Sequence, residues 1–158
     1  MNGVTQIRLT EDVALITFHN TPADSTLTAA IFTEFANAGI NIDMISQTAP
    51  QGSTITLSFT VFSTDLIQVL ELSNGFRDKY PSIKPMVSSG NCKIQLYGEE
   101  MPQMHGVAAS AIAAIAKVGA ELNLITTSEV DISLLVGNHH INEAIASLEE
   151  TFGVACDS

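Results

Sequence analysis

The sequence predicts an α+β protein built from two ferredoxin-like βαββαβ units packed together, with antiparallel sheets and helices on one face. Three observations carry this. "GINIDMIS" (39–46) and "GAELNLIT" (119–126) are related stretches at an offset of 80 residues. Each follows an alanine-containing amphipathic segment that a glycine ends. Each then leads into a β-branched apolar run and a second amphipathic segment, which is the helix–strand–strand–helix core of that motif.

The elements follow in order. "VTQIRL" (4–9) alternates apolar and polar residues and reads as a short strand, and "DVALITF" (12–18) reads as another. "HNTPADST" is a turn cluster with Pro22 and an N-cap in Asp24 or Ser25. Leu27, Ile31, Phe35 and Ala38 then fall three or four apart on one helical face, and Gly39 stops the helix. "INIDMIS" (40–46) alternates as a strand, "APQG" turns the chain, and "STITLSFTVF" (53–62) is a strand. "STDLIQVLELSNGF" opens on a cap-like Ser63 or Thr64 and carries Leu66, Val69, Leu70 and Ser73 on one helical face. "PSIKPMVSS" (81–89) holds a short strand.

The order repeats from there. "CKIQLYG" (92–98) is a strand, "EEMPQMHG" a loop, and "VAASAIAAIAKV" (107–118) a helix stopped by Gly119. "ELNLIT" and "VDISLLV" (130–136) are strands, and "NHHINEAIASLEETF" (138–152) is a helix with Asn138 as N-cap. Setting Gly39 on Gly119 aligns Leu27 with Val107, Phe32 with Ile112, Ile45 with Ile125 and Ser46 with Thr126. After the hairpin the offset falls to 75, with Ser58 on Ser133, because the first copy has the longer loop. The expected units are 12–88 and 89–158. "GVACDS" is too short and polar for a final strand, so the strand at 4–9 is expected to complete the second unit.

Composition narrows the function. Hydrophobic residues make up 46% and charged residues 15%, a globular balance able to bury a core. Seventeen acidic and six basic side chains give a net charge of −11. Six scattered basic residues cannot form the patch that nucleic acid or an anionic membrane needs. No apolar run approaches the roughly 20 residues of a membrane span. "MNGVTQIRLT" does not read as a signal peptide, and Cys92 and Cys156 read as two reduced thiols, so a cytoplasmic setting is expected.

No catalytic constellation is apparent. There is no phosphate-binding glycine loop and no G-x-S-x-G elbow. His139 and His140 are adjacent at a helix start and diverge, Glu99 and Glu100 read as a solvated turn, and Cys92 reads as packing. No cofactor or metal is expected. What remains is the loop-to-helix junction, present twice as "ADSTL" and "MHGVA". A helix N-terminus offers free N–H groups and a positive dipole end, suited to a carboxylate. The following strand brings Asn41, Asp43 and Gln47 in one copy, and Glu121, Asn123, Thr127 and Ser128 in the other. A carboxylate binder beside acidic side chains suits a zwitterion, a free amino acid. Ordinary caps and exposed strand residues would give the same pattern.

The repeat resembles a pair of ACT domains, and more narrowly the regulatory part of aspartokinases. "AAIFTEFANAGINIDMISQT" (29–48) and "GVAASAIAAIAKVGAELNLITTSEVDISLLV" (106–136) carry the resemblance, with "LITTSEVDISLLV" its most specific element. "INEAIASLEETF" and the leading "GVTQIRLTEDVALITF" extend it over nearly the whole chain. The resemblance implies an amino-acid-binding allosteric module, not an enzyme, sensing lysine or threonine between units of a homodimer. It implies Asn41, Ile42, Asp43 and Gln47 as effector-binding in the first unit. In the second it implies Gly106, Val107, Ala108, Asn123, Thr127, Ser128 and Glu129. The family's Asp-x-Pro-Gly junction aligns with Ala23, Asp24, Ser25 and Thr26, so Thr26 stands where the glycine would be and Asp24 serves shifted by one. Asp24, Ser25, Thr26 and Leu27 therefore join the candidate site, as does His105, which replaces the proline before Gly106. An aspartokinase catalytic chain is the implied partner. A subunit or fragment of a full aspartokinase, and a dimerisation module without ligand, are the alternatives.

Overall fold

The computed structural model describes residues 2–157. In chain order the elements are β1 (Gln6–Pro22), α1 (Ser25–Asn37), β2 (Ile45–Gln47), β3 (Thr54–Phe62), α2 (Leu66–Lys79) and β4 (Lys84–Tyr97). They continue with α3 (Val107–Lys117), β5 (Leu122–Thr127), β6 (Asp131–Gly137), α4 (Ile141–Phe152) and β7 (Cys156–Asp157). Short 3-10 turns at Ser63–Asp65, Met101–Gln103 and Asn138–His140 lie between them. The described residues form two compact units, one from residues 12–89 and one from residues 2–11 with 90–157. Residues of β1 and β4 belong to both.

The unit of residues 12–89 has the strand order β2-β3-β1-β4. Val13–Phe18 of β1 pairs antiparallel with Leu57–Phe62 of β3. Ala14, Ile16 and Phe18 alternate into the core, where α1 contributes Leu27, Ile31 and Phe35 and α2 contributes Val69 and Phe76. The core is aromatic. Phe59 lies 5.4 Å from Phe18, 5.5 Å from Phe32 and 5.3 Å from Phe35, ring centre to ring centre. Phe76 meets Phe35 edge-on at 5.7 Å. Such edge-to-face contacts add to the area that each ring removes from water.

The other unit has the order β1-β4-β6-β5, with β7 pairing parallel to β1 at Ile7 and Arg8. Its core is aliphatic, with Ile94, Leu96, Leu134 and Val136 from the sheet beside Ala111, Ala114, Ile115, Ala144 and Leu148 from the helices. Alanines let α3 and α4 approach closely, and the buried Ser147 hydroxyl donates to the Ala114 carbonyl at 2.8 Å. Val4 and Ile7 are buried in this core.

The internal repeat is visible in the hydrogen bonds. Ile45, Ser46 and Gln47 face Phe59, Ser58 and Leu57, while Ile125, Thr126 and Thr127 face Leu134, Ser133 and Ile132. Those pairs carry the offsets of 80 and 75 read from the sequence. Both stop signals have one geometry. Gly39 (φ 78°) and Gly119 (φ 70°) donate to Ala36 and Ala116, and the next amides, of Ile40 and Ala120, reach back to Phe35 and Ile115. Left-handed φ at these positions favours glycine.

Several local expectations are corrected. The two strands at 4–9 and 12–18 are one strand, because Asp12 (φ 58°) absorbs a local kink without ending the element. The strands at 81–89 and 92–98 are likewise one, β4. Only Ile45 and Ser46 of the 40–46 stretch are strand, and β2 runs one residue further, to Gln47. Ile40 and Met44 are both buried, and Thr60 takes up the local backbone: its carbonyl accepts from Asp43 N, and its hydroxyl accepts from Met44 N at 2.9 Å. Ser63 does not cap α2; its hydroxyl donates to the Asp12 carbonyl at 3.0 Å. Asn138 is not an N-cap, since a 3-10 turn carries the chain to His140 before α4 begins. The C-terminal stretch does form a short strand, β7. Leu70 is half-buried, and Phe76 takes the inner helical position further along α2.

Candidate functional site

At the first junction Asp24 caps α1. Its backbone is extended, and its Oδ1 accepts from Thr26 N at 2.9 Å. That choice between Asp24 and Ser25 follows from reach, since a residue at the cap position meets the second or third amide of the helix. An open hollow of about 520 Å³ lies here, and Asp24, Ser25, Phe32, Gln47 and Ile55 line it. Three predicted residues, Asp24, Ser25 and Gln47, thus come together. Thr26 and Leu27 turn to the other side of α1, where a groove of about 600 Å³ runs between α1 and α2. Asn41, Ile42 and Asp43 lie outside the hollow, on the irregular stretch before β2; Asn41 and Asp43 are exposed and Ile42 is half-buried.

The second junction differs. Gly106 precedes α3 in left-handed conformation (φ 81°), and no side chain caps the helix. The α3 N-terminus therefore keeps its backbone donors free of an internal carboxylate, while Asp24 already occupies the corresponding end of α1. A smaller hollow of about 200 Å³ gathers His105, Gly106 and Val107 with Met104, Asn2 and Phe152. The Asn2 side-chain amide donates to the Phe152 carbonyl and closes one wall. Ala108 is half-buried and packs against the core.

The remaining second-unit residues lie on and after β5. Asn123 is half-buried and donates through Nδ2 to Asn91 Oδ1 at 2.7 Å. Thr127 and Glu129 are exposed. Ser128 is committed to the β5–β6 turn: its hydroxyl donates to Asp131 Oδ1 at 2.6 Å and accepts from the amides of Val130 and Asp131. Asn91 was missed by sequence reasoning. A lone asparagine ahead of a strand carries no signal until the strand's partner is known.

Among the described residues, no group of three or more His, Cys, Asp or Glu could hold a metal ion. Cys92 is buried. Burial, then the charges of Glu149 and Asp157, push the Cys156 thiol above its ordinary 9.0, which keeps it protonated at neutral pH. The Tyr97 hydroxyl is spent on Glu99 at 3.1 Å, and that bond leads the causes raising its pKa above 10.0. Of the two helix ends, α1 is capped by Asp24 and α3 has no side-chain cap.

Residues 94–152 match the ACT domain family model. The aspartokinase of Geobacillus stearothermophilus is 35% identical over 130 residues, which is 80% of this chain and 30% of that protein. The ligand-free regulatory subunit of aspartate kinase from Thermus thermophilus superposes with a TM-score of 0.85 at 27% identity, over 95% of this chain and 99% of that one. This chain is similar to the regulatory region of aspartokinases. A solved structure of aspartokinase alpha and beta subunits gives the same TM-score, 0.85, at 29% identity and the same coverage, 95% and 99%. The chain spans about a third of the length of the curated relatives it matches. The match is to the regulatory, ACT part. No helix among the described residues is long and apolar enough to cross a membrane.

Proposed function

We propose that this chain is an amino-acid-sensing regulatory module of the aspartokinase type, with lysine or threonine as its effector. One observation carries the reading furthest. The N-terminus of α3, behind Gly106, offers backbone donors with no internal cap, the requirement for holding a ligand carboxylate. At α1 the carboxylate of Asp24 fills that role already, so the hollow beside Gln47 suits a ligand's ammonium group better than its carboxylate. In this reading the ACT units are residues 12–88 and 89–158, the second completed by strand 4–9. The module works as a cytoplasmic homodimer whose output is an aspartokinase catalytic chain. The solved regulatory subunits of similar extent support that partner. Effector binding then favours one arrangement of paired units over another.

The test is thermal unfolding with free L-amino acids. A ligand that binds only the native state stabilises by about 2.7 kcal/mol at a hundred times its Kd. Lysine or threonine should raise the melting temperature in a saturable way, and alanine should not. No shift with either would leave a dimerisation module without ligand.

A further inference from the structure

We infer that Asn91 is a positioning residue that orients Asn123 toward the effector in the second unit. The inference rests on the reading of Asn123 as an effector-site residue.

Asn91 is 1% exposed and sits on β4 opposite Gly137. On β5, Leu122 faces Val136 while Leu124 faces Leu135, so Asn123 is the extra residue of a β-bulge. A bulge re-aims the side chain it carries. This one places Asn123 Nδ2 against Asn91 Oδ1. Packing does not ask for an asparagine here. Cys92 faces Val136 as Ala14 faces Val61, so by register the counterpart of Asn91 in the other unit is Val13. Val13 is a buried apolar residue. A buried amide costs free energy unless it is hydrogen-bonded, and an apolar side chain would fill the space more cheaply.

The pair fixes which end of the Asn123 amide is available. With Nδ2 turned inward, its Oδ1 has no other hydrogen bond among the described residues. No side-chain polar atom among the described residues is both fully buried and unpartnered, so this oxygen reaches solvent. The β5 edge therefore presents a held acceptor. It recognises an N–H or O–H donor of the ligand, an ammonium or hydroxyl group, and disfavours a carboxylate at that point. The matching place in the first unit lacks the pair, so the two units differ in what they select.

The test uses the full chain with L-lysine and L-threonine as probes. Asn91→Val, which copies the residue type of Val13, should weaken the bound amino acid by about tenfold in calorimetry. Asn123→Ala should do the same, and adding Asn91→Val to it should cost nothing further, because Asn91 acts through Asn123. The Asn123 side-chain amide should exchange slowly with solvent in the wild type by NMR and quickly in Asn91→Val. Unchanged affinity in Asn91→Val, or additive losses in the double variant, would overturn the positioning role and leave the effector reading standing. Fast wild-type exchange of that amide would overturn it even where the variant does not fold. A wild type that binds neither amino acid removes the effector reading, and this inference with it.

Discussion

Two glycines have opposite reasons to exist. A Cβ on Gly98 would lie 1.6 Å from the Gly3 carbonyl oxygen, a backbone atom that cannot step aside. Gly98 also donates its N–H to the Val130 carbonyl at 2.9 Å, so its own backbone is held as well. Gly75, inside α2, has no described atom within 4 Å of its would-be Cβ beyond its chain neighbours and its own helix backbone, and it costs helix stability. Gly98→Ala should therefore destabilise by about 2 kcal/mol or more. Gly75→Ala should stabilise by about 1 kcal/mol. Urea unfolding of both variants reads the difference, and equal midpoints would mean that the N-terminal segment yields at no cost. Residue-scale features of this kind differ in legibility. Asp24 could be read as a cap because a cap needs only its own next two residues. Gly98 could not, because its constraint comes from Gly3, nearly a hundred positions away.

Among the elements, the β5–β6 hairpin shows how a predicted ligand residue can have a local role. Ser128 bonds Asp131 and two turn amides, and Asp131 in turn accepts from Gln95 Nε2 at 2.8 Å. Ser128→Ala should cost roughly 1–2 kcal/mol through the lost turn bonds. The melting temperature should fall by roughly 2–4 °C for each of those kcal/mol. If the hydroxyl serves the turn alone, the fall is the same with and without amino acid; a fall that appears only in the ligand-induced shift would place the hydroxyl on the ligand. The helices and strand pairs were readable because Gly39 and Gly119 and the apolar spacing are local signals repeated twice. The bulge at Asn123, the continuity of β1 through Asp12 and the pairing of β7 with Ile7 were not. Each depends on a partner strand that the local pattern does not name. The same limit explains the candidate site. The junction residues Asp24, Ser25, His105, Gly106 and Val107 fall in hollows, while Asn41, Asp43 and Glu129 stay on open chain.

For the molecule as a whole, charge decides how copies meet. Each carries −11, with only six basic side chains to set against seventeen acidic ones. Two such chains repel at long range, and the reach of that repulsion is the Debye length, about 30 Å at 0.01 M salt and 8 Å at 0.15 M. If the proposed homodimer is held by apolar and backbone contacts, salt should tighten it, because screening removes the repulsion and leaves those contacts nearly untouched. Sedimentation equilibrium at 0.01 M and 0.15 M sodium chloride should then give a lower dimer Kd at the higher salt. An interface built on ion pairs would loosen instead. With so few lysines and arginines per copy, an ion-paired interface would have to concentrate most of them at one face, yet they are spread from Arg8 to Lys117 along the sequence. The same field acts on the proposed effector. Lysine carries a net positive charge and threonine none, so the encounter with lysine should slow as salt is added while that with threonine should not. Stopped-flow binding at the two salt concentrations separates the two effectors by this sign alone. A lysine on-rate indifferent to salt would mean that the binding hollow does not feel the charge of the whole chain.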